Sequence, residues 1–269
     1  MEINRSNINE IINKASLRPD KDYGQNFLIE PMISQRIVDA LNIEENDAVL
    51  EVGPGLGSLT HFISEKTAQC DAIDIDARMV IFLNIVYQDF PNVHIIENDI
   101  RKHDVSKYNK IIGNLPYNIT TETIQFFLSK AVNAKRMVFM IQSEALNRFI
   151  DVKGKEYGPV SVLLHLLGNI EKLFTVKAGS FYPAPKCSSV VFAINIDDSK
   201  NRKDATGAFV LAKNLFLNRR KTIQNNLLNV VKDKDLVLKM CSDLNINPLS
   251  RPEELSPEMY FKMHRYLNK

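Results

Sequence analysis

Apolar residues follow two spacings along this chain. The short continuous runs Ala48–Val52, Gln69–Ile73, Val93–Glu97, Lys110–Asn114 and Arg136–Ile141 have the length and branching of buried strands. Between them, Pro31–Leu41, Ser58–Lys66, Val80–Tyr87 and Thr120–Lys130 return an apolar residue every three or four positions, as Ile33, Ile37, Val38 and Leu41 do in the first. Strand and helix in alternation predict an α/β domain with a mainly parallel sheet. Ser143–Ile150 and Val160–Leu167 read as two more helices, and Lys172–Val176 and Val190–Ile196 as two closing strands. Ahead of the sheet, residues 1–20 read as a short helix or arm ending near Pro19 and Asp20, and Lys21–Leu28 as a loop.

The pattern changes at Asp197–Asn201, a polar linker, after which helical spacing continues to the end. This predicts a first domain over 1–198 and a smaller helical one over 199–269. Charge divides at the same place. Residues 200–269 carry 14 Lys+Arg against 7 Asp+Glu, a net +7, whereas residues 1–199 carry 20 against 25, a net −5, together the +2 of the whole chain. A basic lobe on an acidic body points to a polyanion partner or to a solvated helical surface.

At 45% hydrophobic and 25% charged, the 269 residues can bury a substantial core. No apolar stretch approaches the roughly 20 residues of a membrane span, and the polar start lacks a secretory core, so a cytoplasmic protein is expected. Three scattered cysteines, Cys70, Cys187 and Cys241, form no ligand set with the five histidines, and no metal is expected.

Candidate chemistry collects where strands end. Val52 runs into Gly53-Pro54-Gly55-Leu56-Gly57, whose glycines let backbone approach a ligand and aim a helix start at it. The GxGxG spacing behind an acidic residue suits S-adenosylmethionine better than a dinucleotide. The second strand ends at Asp74-Ile75-Asp76, where a carboxylate can hold a ribose diol, and the third at Asp99 and Ile100, which can accept from an adenine amine and pack on its ring. The fourth ends in Gly113-Asn114-Leu115-Pro116-Tyr117. The Asn114 carbonyl and the backbone carbonyls before Pro116 can accept both hydrogens of an exocyclic amine, and Tyr117 can stack on the base. Phe181 reads either as the second face of a base sandwich or as a core aromatic beside a proline turn. Leu217-Asn218-Arg219-Arg220-Lys221 sets cations beside a helical apolar face, suited to phosphate or to solvent.

These motifs together resemble the ribosomal RNA adenine dimethyltransferases. The resemblance rests on GQNFL (Gly24–Leu28), EVGPGLGSLT (Glu51–Thr60), Asn98-Asp99, NLPYNIT (Asn114–Thr120) and FYPAPKCSSVV (Phe181–Val191), with RRKT (Arg219–Thr222) and RPEELS (Arg251–Ser256) in the final lobe. The last two favour the small-subunit type. The resemblance implies a seven-stranded Rossmann-like methyltransferase sheet with an all-helical carboxyl-terminal domain. It assigns Asn26, Leu28, Gly53, Gly55, Gly57, Asp74, Asp99, Ile100 and Asn114 to S-adenosylmethionine. Asn114, Leu115, Pro116, Tyr117 and Phe181 fall to the target adenine, and Arg148, Lys153, Lys155, Lys186, Arg219, Arg220 and Lys221 to RNA. The family usually carries Glu at position 74 and often a basic residue at 143, and Tyr23 is less usual before Gly24.

The function expected is dimethylation of two adjacent adenosines in the 3′-terminal hairpin of small-subunit rRNA, by a monomer acting on an immature 30S particle, with S-adenosylhomocysteine as product. The competing readings are methylation of large-subunit rRNA or of DNA adenine, and a non-catalytic assembly or transcription factor on the same fold.

Overall fold

A computed structural model describes residues 1–15, 17, 25–116 and 119–268. Lys21–Gly24, with Tyr23, and Tyr117 lie outside the described residues. The chain divides into two compact units, one of Met1–Ser143 with Glu171–Asn195 and one of Glu144–Ile170 with Ile196–Lys269.

The first unit opens with α1 (Ile8–Lys14), the two-residue strand β1 (Phe27–Leu28) and α2 (Pro31–Asp39). Then β2 (Ala48–Val52), α3 (Thr60–Ser64), β3 (Gln69–Asp74), α4 (Ala77–Val86), β4 (Val93–Glu97), β5 (Lys110–Asn114), α5 (Thr120–Lys130) and β6 (Arg136–Gln142) alternate as the apolar pattern predicts. After α6 (Asn147–Ile150) and α7 (Pro159–Leu167) come β7 (Gly168–Val176), β8 (Phe181–Tyr182) and β9 (Ser189–Ile196).

Seven strands form one sheet in the order β4-β3-β2-β5-β6-β9-β7. The pairs β2–β3, β3–β4, β2–β5 and β5–β6 are parallel, and β9 runs antiparallel to β6. The chain enters at β2, moves outward through β3 and β4, and returns to the other flank of β2 with β5. Strand order therefore reverses between β2 and β5, and ligands of open α/β sheets sit outside the carboxyl ends of the strands at such a reversal. The inner strands are buried on both faces: Val49, Leu50, Ile111, Ile112 and Met137–Ile141 have no measurable exposure. That explains why they read as runs rather than as alternations.

Three differences from the sequence expectation concern the site. The α3 helix starts at Thr60 because Leu56–Leu59 are turns, and α4 begins at Ala77, capped by Asp76, whose carboxylate accepts from the Arg78 backbone. The segment at 27–28, read as loop, and that at 181–182, beside the proline turn, pair as a second, antiparallel sheet, with Leu28 opposite Phe181. The amino-terminal segment is a packed element: Ile3, Ile8, Ile11 and Ile12 share a buried cluster with Phe27, Ile29, Leu56 and Met79.

The second unit comprises α6, α7, α8 (Arg202–Phe216), α9 (Ile223–Val231), α10 (Lys234–Asp243) and α11 (Pro257–Leu267). Its boundary is discontinuous, whereas the composition change marks only the return of the chain at 196. Val162 of α7 packs in one cluster with Ala208, Leu211 and Ala212 of α8 and Tyr260 and Met263 of α11, which draws residues 144–170 into this unit.

Candidate active site

A cavity of about 240 Å³ opens at the carboxyl ends of β2, β3, β4 and β5. The turn after β2 forms its floor. Gly53, Gly55 and Gly57 have φ of +66°, +56° and +88°, a left-handed backbone that side chains resist. A Cβ on Gly53 would stand 3.9 Å from the Asn114 carbonyl oxygen, and one on Gly55 would press on the Phe27 ring at 3.2 Å. Gly57 is turned away: it does not line the cavity, and a Cβ there would meet Leu83 and Tyr87 of the α4 region. Its place in the turn is for packing. Ser58 donates its hydroxyl to the Leu28 carbonyl at 2.7 Å, which ties the glycine turn to the Asn26–Leu28 segment on the cavity wall.

Carboxylates supply the polar wall. Asp74 accepts from the Asp76 amide at 3.0 Å and the Gly55 amide at 3.3 Å, and burial raises its pKa above the ordinary carboxylate value. Asp99 is paired with Arg101 through both oxygens, at 2.9 and 2.7 Å, and that partner lowers its pKa. Two carboxylate oxygens offer about four acceptor positions, so this pairing leaves room for a ligand donor. Ile100 is buried beside it, and Ile75, half exposed, lines the cavity from the end of β3.

Asn114 ends β5 with its side chain committed on one side only. Its Nδ2 donates to the Asn26 carbonyl at 3.3 Å, which fixes the amide orientation and presents Oδ1 as the acceptor. Leu115 donates its amide to the Met140 carbonyl at 3.0 Å, and the Pro116 carbonyl accepts from the Thr120 hydroxyl at 2.9 Å, so the turn is anchored to β6 and α5. Asn26, Leu28, Gly53, Gly55, Asp74, Asp99, Ile100, Asn114, Leu115 and Pro116 thus all line one cavity. Phe181 does not. It is 3% exposed, in a buried core cluster with Leu28.

Glu51, noted in the sequence as the acid ahead of the glycine turn, Asn98, noted in the Asn98-Asp99 motif, Gln25 and Arg101 were given no ligand, yet all line the cavity. Glu51, inside β2, is 1% exposed, accepts from the Thr60 hydroxyl at 2.6 Å, and burial pushes its pKa up to about 8. An acid within an apolar strand was the available signal. Gln25, Asn98 and Arg101 also line the wall. Gln25 donates to Asp76, and Asp76 repeats with Arg78 the pairing that Asp99 makes with Arg101. The repeated Asp-x-Arg was legible in the sequence.

The cations expected to meet RNA are dispersed in environment. Lys186, between β8 and β9, is exposed in the first unit. Lys153, Lys155, Arg220 and Lys221 are exposed in the second, where Arg148 pairs with Glu156 at 3.8 Å and Arg219 is engaged with protein groups. Ser143 bonds the Ser188 hydroxyl at 3.1 Å.

The cavity suits a nucleoside carrying an amino acid chain. The bare Gly53 turn admits close approach, Asp74 and Asp99 at successive strand ends could accept from hydroxyls or an amine of a ligand, and apolar Ile75 and Ile100 could pack on a flat ring. Sheet order, glycine turn and strand-end carboxylates together define a Rossmann-like methyltransferase. The sequence profile described as "Ribosomal RNA adenine dimethylase" matches residues 17–269, and the chain belongs to that family of S-adenosylmethionine-dependent enzymes. It is 36% identical over 267 residues to the "Ribosomal RNA small subunit methyltransferase A" of Alkaliphilus oremlandii, covering 93% of this chain and 92% of the relative. It is 34% identical to the protein of that name from Ureaplasma urealyticum, covering 99% of each. Its fold matches a dimethyladenosine transferase from Plasmodium falciparum with a TM-score of 0.77 at 24% identity, covering 88% and 95% of the two chains. The 23S rRNA methyltransferase ErmE gives 0.70 at 20% identity, covering 91% of this chain and 100% of the other.

Proposed function

We propose that the protein dimethylates the exocyclic amines of two adjacent adenosines in the 3′-terminal hairpin of small-subunit rRNA, as a cytoplasmic monomer acting on the immature subunit. The observation that carries this reading is Asn114, an amide held in one orientation at the end of β5 with its oxygen left to accept. The small-subunit assignment is supported by relatives of that name that match along nearly the whole chain.

Asn26, Gly53, Gly55, Asp74 and Asp99 would hold S-adenosylmethionine, which when bound would supply an electrophilic methyl group. The residues of this chain act by position. Asn114 Oδ1 and the backbone carbonyls before Pro116 accept both amine hydrogens, which turns the nitrogen lone pair out of conjugation. Stacking on Tyr117 holds the flipped base, at about 1–3 kcal/mol against the few kcal/mol that unstacking costs. A clamp role for Phe181 requires that its ring move out of the core cluster when RNA arrives. The proton lost from the amine passes to water, and no side chain is assigned as general base. Correct placement of two reactants accounts for most of such a barrier reduction.

The test is incubation with labelled S-adenosylmethionine and small subunits from cells lacking the modification, followed by mapping of the label. Dimethyladenosine at two adjacent bases of the 3′ hairpin is the expected result. Label on large subunits in a parallel incubation, with none on small subunits, overturns the small-subunit reading, and small-subunit binding without label moves the function to an assembly factor.

A further inference from the structure

Of the cations assigned to RNA, Arg148 makes one ion pair, with Glu156, whereas Arg219 meets three protein groups at once. Its Nη2 donates to the Gly154 carbonyl at 2.5 Å, its Nε lies 3.4 Å from Glu253 Oε2, and its guanidinium sits 5.7 Å from the Phe216 ring. Gly154 completes the link, because its amide donates to the Glu253 carbonyl at 3.0 Å. Both backbone groups of one exposed loop residue are thereby taken by two distant segments of the second unit. Gly154 has φ of +92°, a conformation that favours glycine.

The rest of the loop is fastened as well. The Asp151 carbonyl accepts from the Ser161 hydroxyl at 2.5 Å, and Tyr157 is 1% exposed with its ring edge-on to Phe216 at 5.6 Å. What remains outside are the two lysines that flank Gly154. Lys153 and Lys155 are exposed, as are Arg220 and Lys221, the two residues that follow Arg219. Among the described residues none of these four is paired with a carboxylate, although Glu254 is exposed next to Glu253.

We propose that Arg219 is a positioning residue which, with Glu253, docks the 151–158 loop so that Lys153 and Lys155 join Arg220 and Lys221 in one surface for the phosphates of folded RNA. The inference rests on the rRNA reading above and deepens it. Two basic segments more than sixty residues apart in sequence act as a unit only while the clamp holds. An exposed loop of this kind, left free, would lose its entropy on binding, and docking removes that cost beforehand.

Glu253→Gln distinguishes this from simple charge. Removing a negative charge beside a polyanion should tighten binding, whereas loosening the clamp should weaken it by up to about fivefold, the effect of one partly exposed ion pair. The experiment measures binding of the full chain to small subunits lacking the modification, across a range of salt. Lys153→Gln/Lys155→Gln and Arg220→Gln/Lys221→Gln should each weaken binding and flatten its salt dependence. Arg219→Ala should weaken it too, but add nothing once Lys153 and Lys155 are neutral. Trypsin cleavage after Lys153 or Lys155 should rise in Glu253→Gln. Tighter or unchanged binding by Glu253→Gln, or an additive Arg219→Ala effect, overturns the clamp. Wild-type protein that does not bind the subunits overturns the small-subunit reading itself, and this inference with it. Should Arg219→Ala fail to fold, the sign of the Glu253→Gln effect still decides.

Discussion

The cavity of the first unit and the basic surface of the second differ in what one side chain can do. In the cavity, Asn114, Asp74 and Glu51 are held by named backbone or hydroxyl partners, the first two half-buried and Glu51 buried. Each is held in one geometry, and a lost contact there is not made up by a neighbouring group. On the surface, Lys153, Lys155, Arg220 and Lys221 are exposed, and each is one of several equivalent charges. The first region should therefore fail abruptly and ignore salt, and the second should weaken by degrees and follow it.

The largest effect should come from Asn114→Ala. The substitution removes the oriented acceptor and leaves the glycine turn, Asp74 and Asp99 in place. We expect turnover to fall by at least about 10²–10³, as for other preorganised hydrogen-bonding groups, with cofactor affinity changed far less. Single-turnover kinetics and calorimetric titration of S-adenosylmethionine check both parts. Near-normal turnover would remove Asn114 from the reaction and leave the cavity no more exacting than the surface.

Glu51 sharpens the contrast through pH. Its folded pKa of about 8 lies above its ordinary value of 4.5, so between those pH values the folded state holds a proton that the unfolded state has released. The linkage then has one sign: stability is greatest below about 4.5, declines as pH rises towards 8, and is flat beyond. Glu51→Gln should abolish this component, worth about 1.4 kcal/mol per pH unit within the window. Thermal melts of the ligand-free protein at pH 5, 6.5 and 8 measure it. Parallel pH profiles for the two proteins would show that Glu51 is more hydrated than its 1% exposure implies.

A smaller effect separates two turns of the same local chemistry. Asp76 and Asp99 each pair with the arginine two residues on, with the same 2.9 and 2.7 Å contacts, yet Asp76 is 4% exposed and bound to Gln25 while Asp99 lines the cavity. Asp99→Asn should raise the cofactor dissociation constant about tenfold, roughly 1.4 kcal/mol, with little change in Tm. Asp76→Asn keeps an oxygen for the cap but loses the charge paired with half-exposed Arg78 and turns an amide NH2 towards Gln25, and should lower Tm by a few degrees. Equal effects of the two on cofactor binding would mean that the turn, and not the carboxylate facing the cavity, is what binding requires.

That pair also shows what the sequence could and could not reveal. The strands from Ala48 to Gln142 were legible because a strand buried on both faces must be apolar throughout, and the cavity followed because ligands collect where such strands end. Gly57 was misplaced for a physical reason: spacing reveals that a turn needs glycine, not which glycine faces the ligand and which faces Leu83. Phe181 read equally as clamp or core, and its register opposite Leu28 depends on a two-residue strand pairing between segments over 150 residues apart, which no local pattern encodes. Arg219 looked like its neighbours Arg220 and Lys221 because composition records charge and not partners. The grouping of 144–170 with the helical unit was hidden likewise, since it depends on which apolar face α7 meets.

The smallest effect tests whether the salt-following behaviour is confined to the second unit. Lys186 is exposed in the first unit, in the segment between Tyr182 and Ser189, and was assigned to RNA with the others. As a lone contact it should lower the slope of log affinity against log salt by no more than about 0.7–0.9 on Lys186→Gln, and leave single-turnover rate at saturating RNA unchanged. Titrations of small subunits at four salt concentrations resolve a change of that size. A larger loss of slope would mean that Lys186 organises other cations, as Arg219 is inferred to do. A fall in the rate itself would place Lys186 with the buried groups of the cavity, where position and not charge is what the side chain contributes.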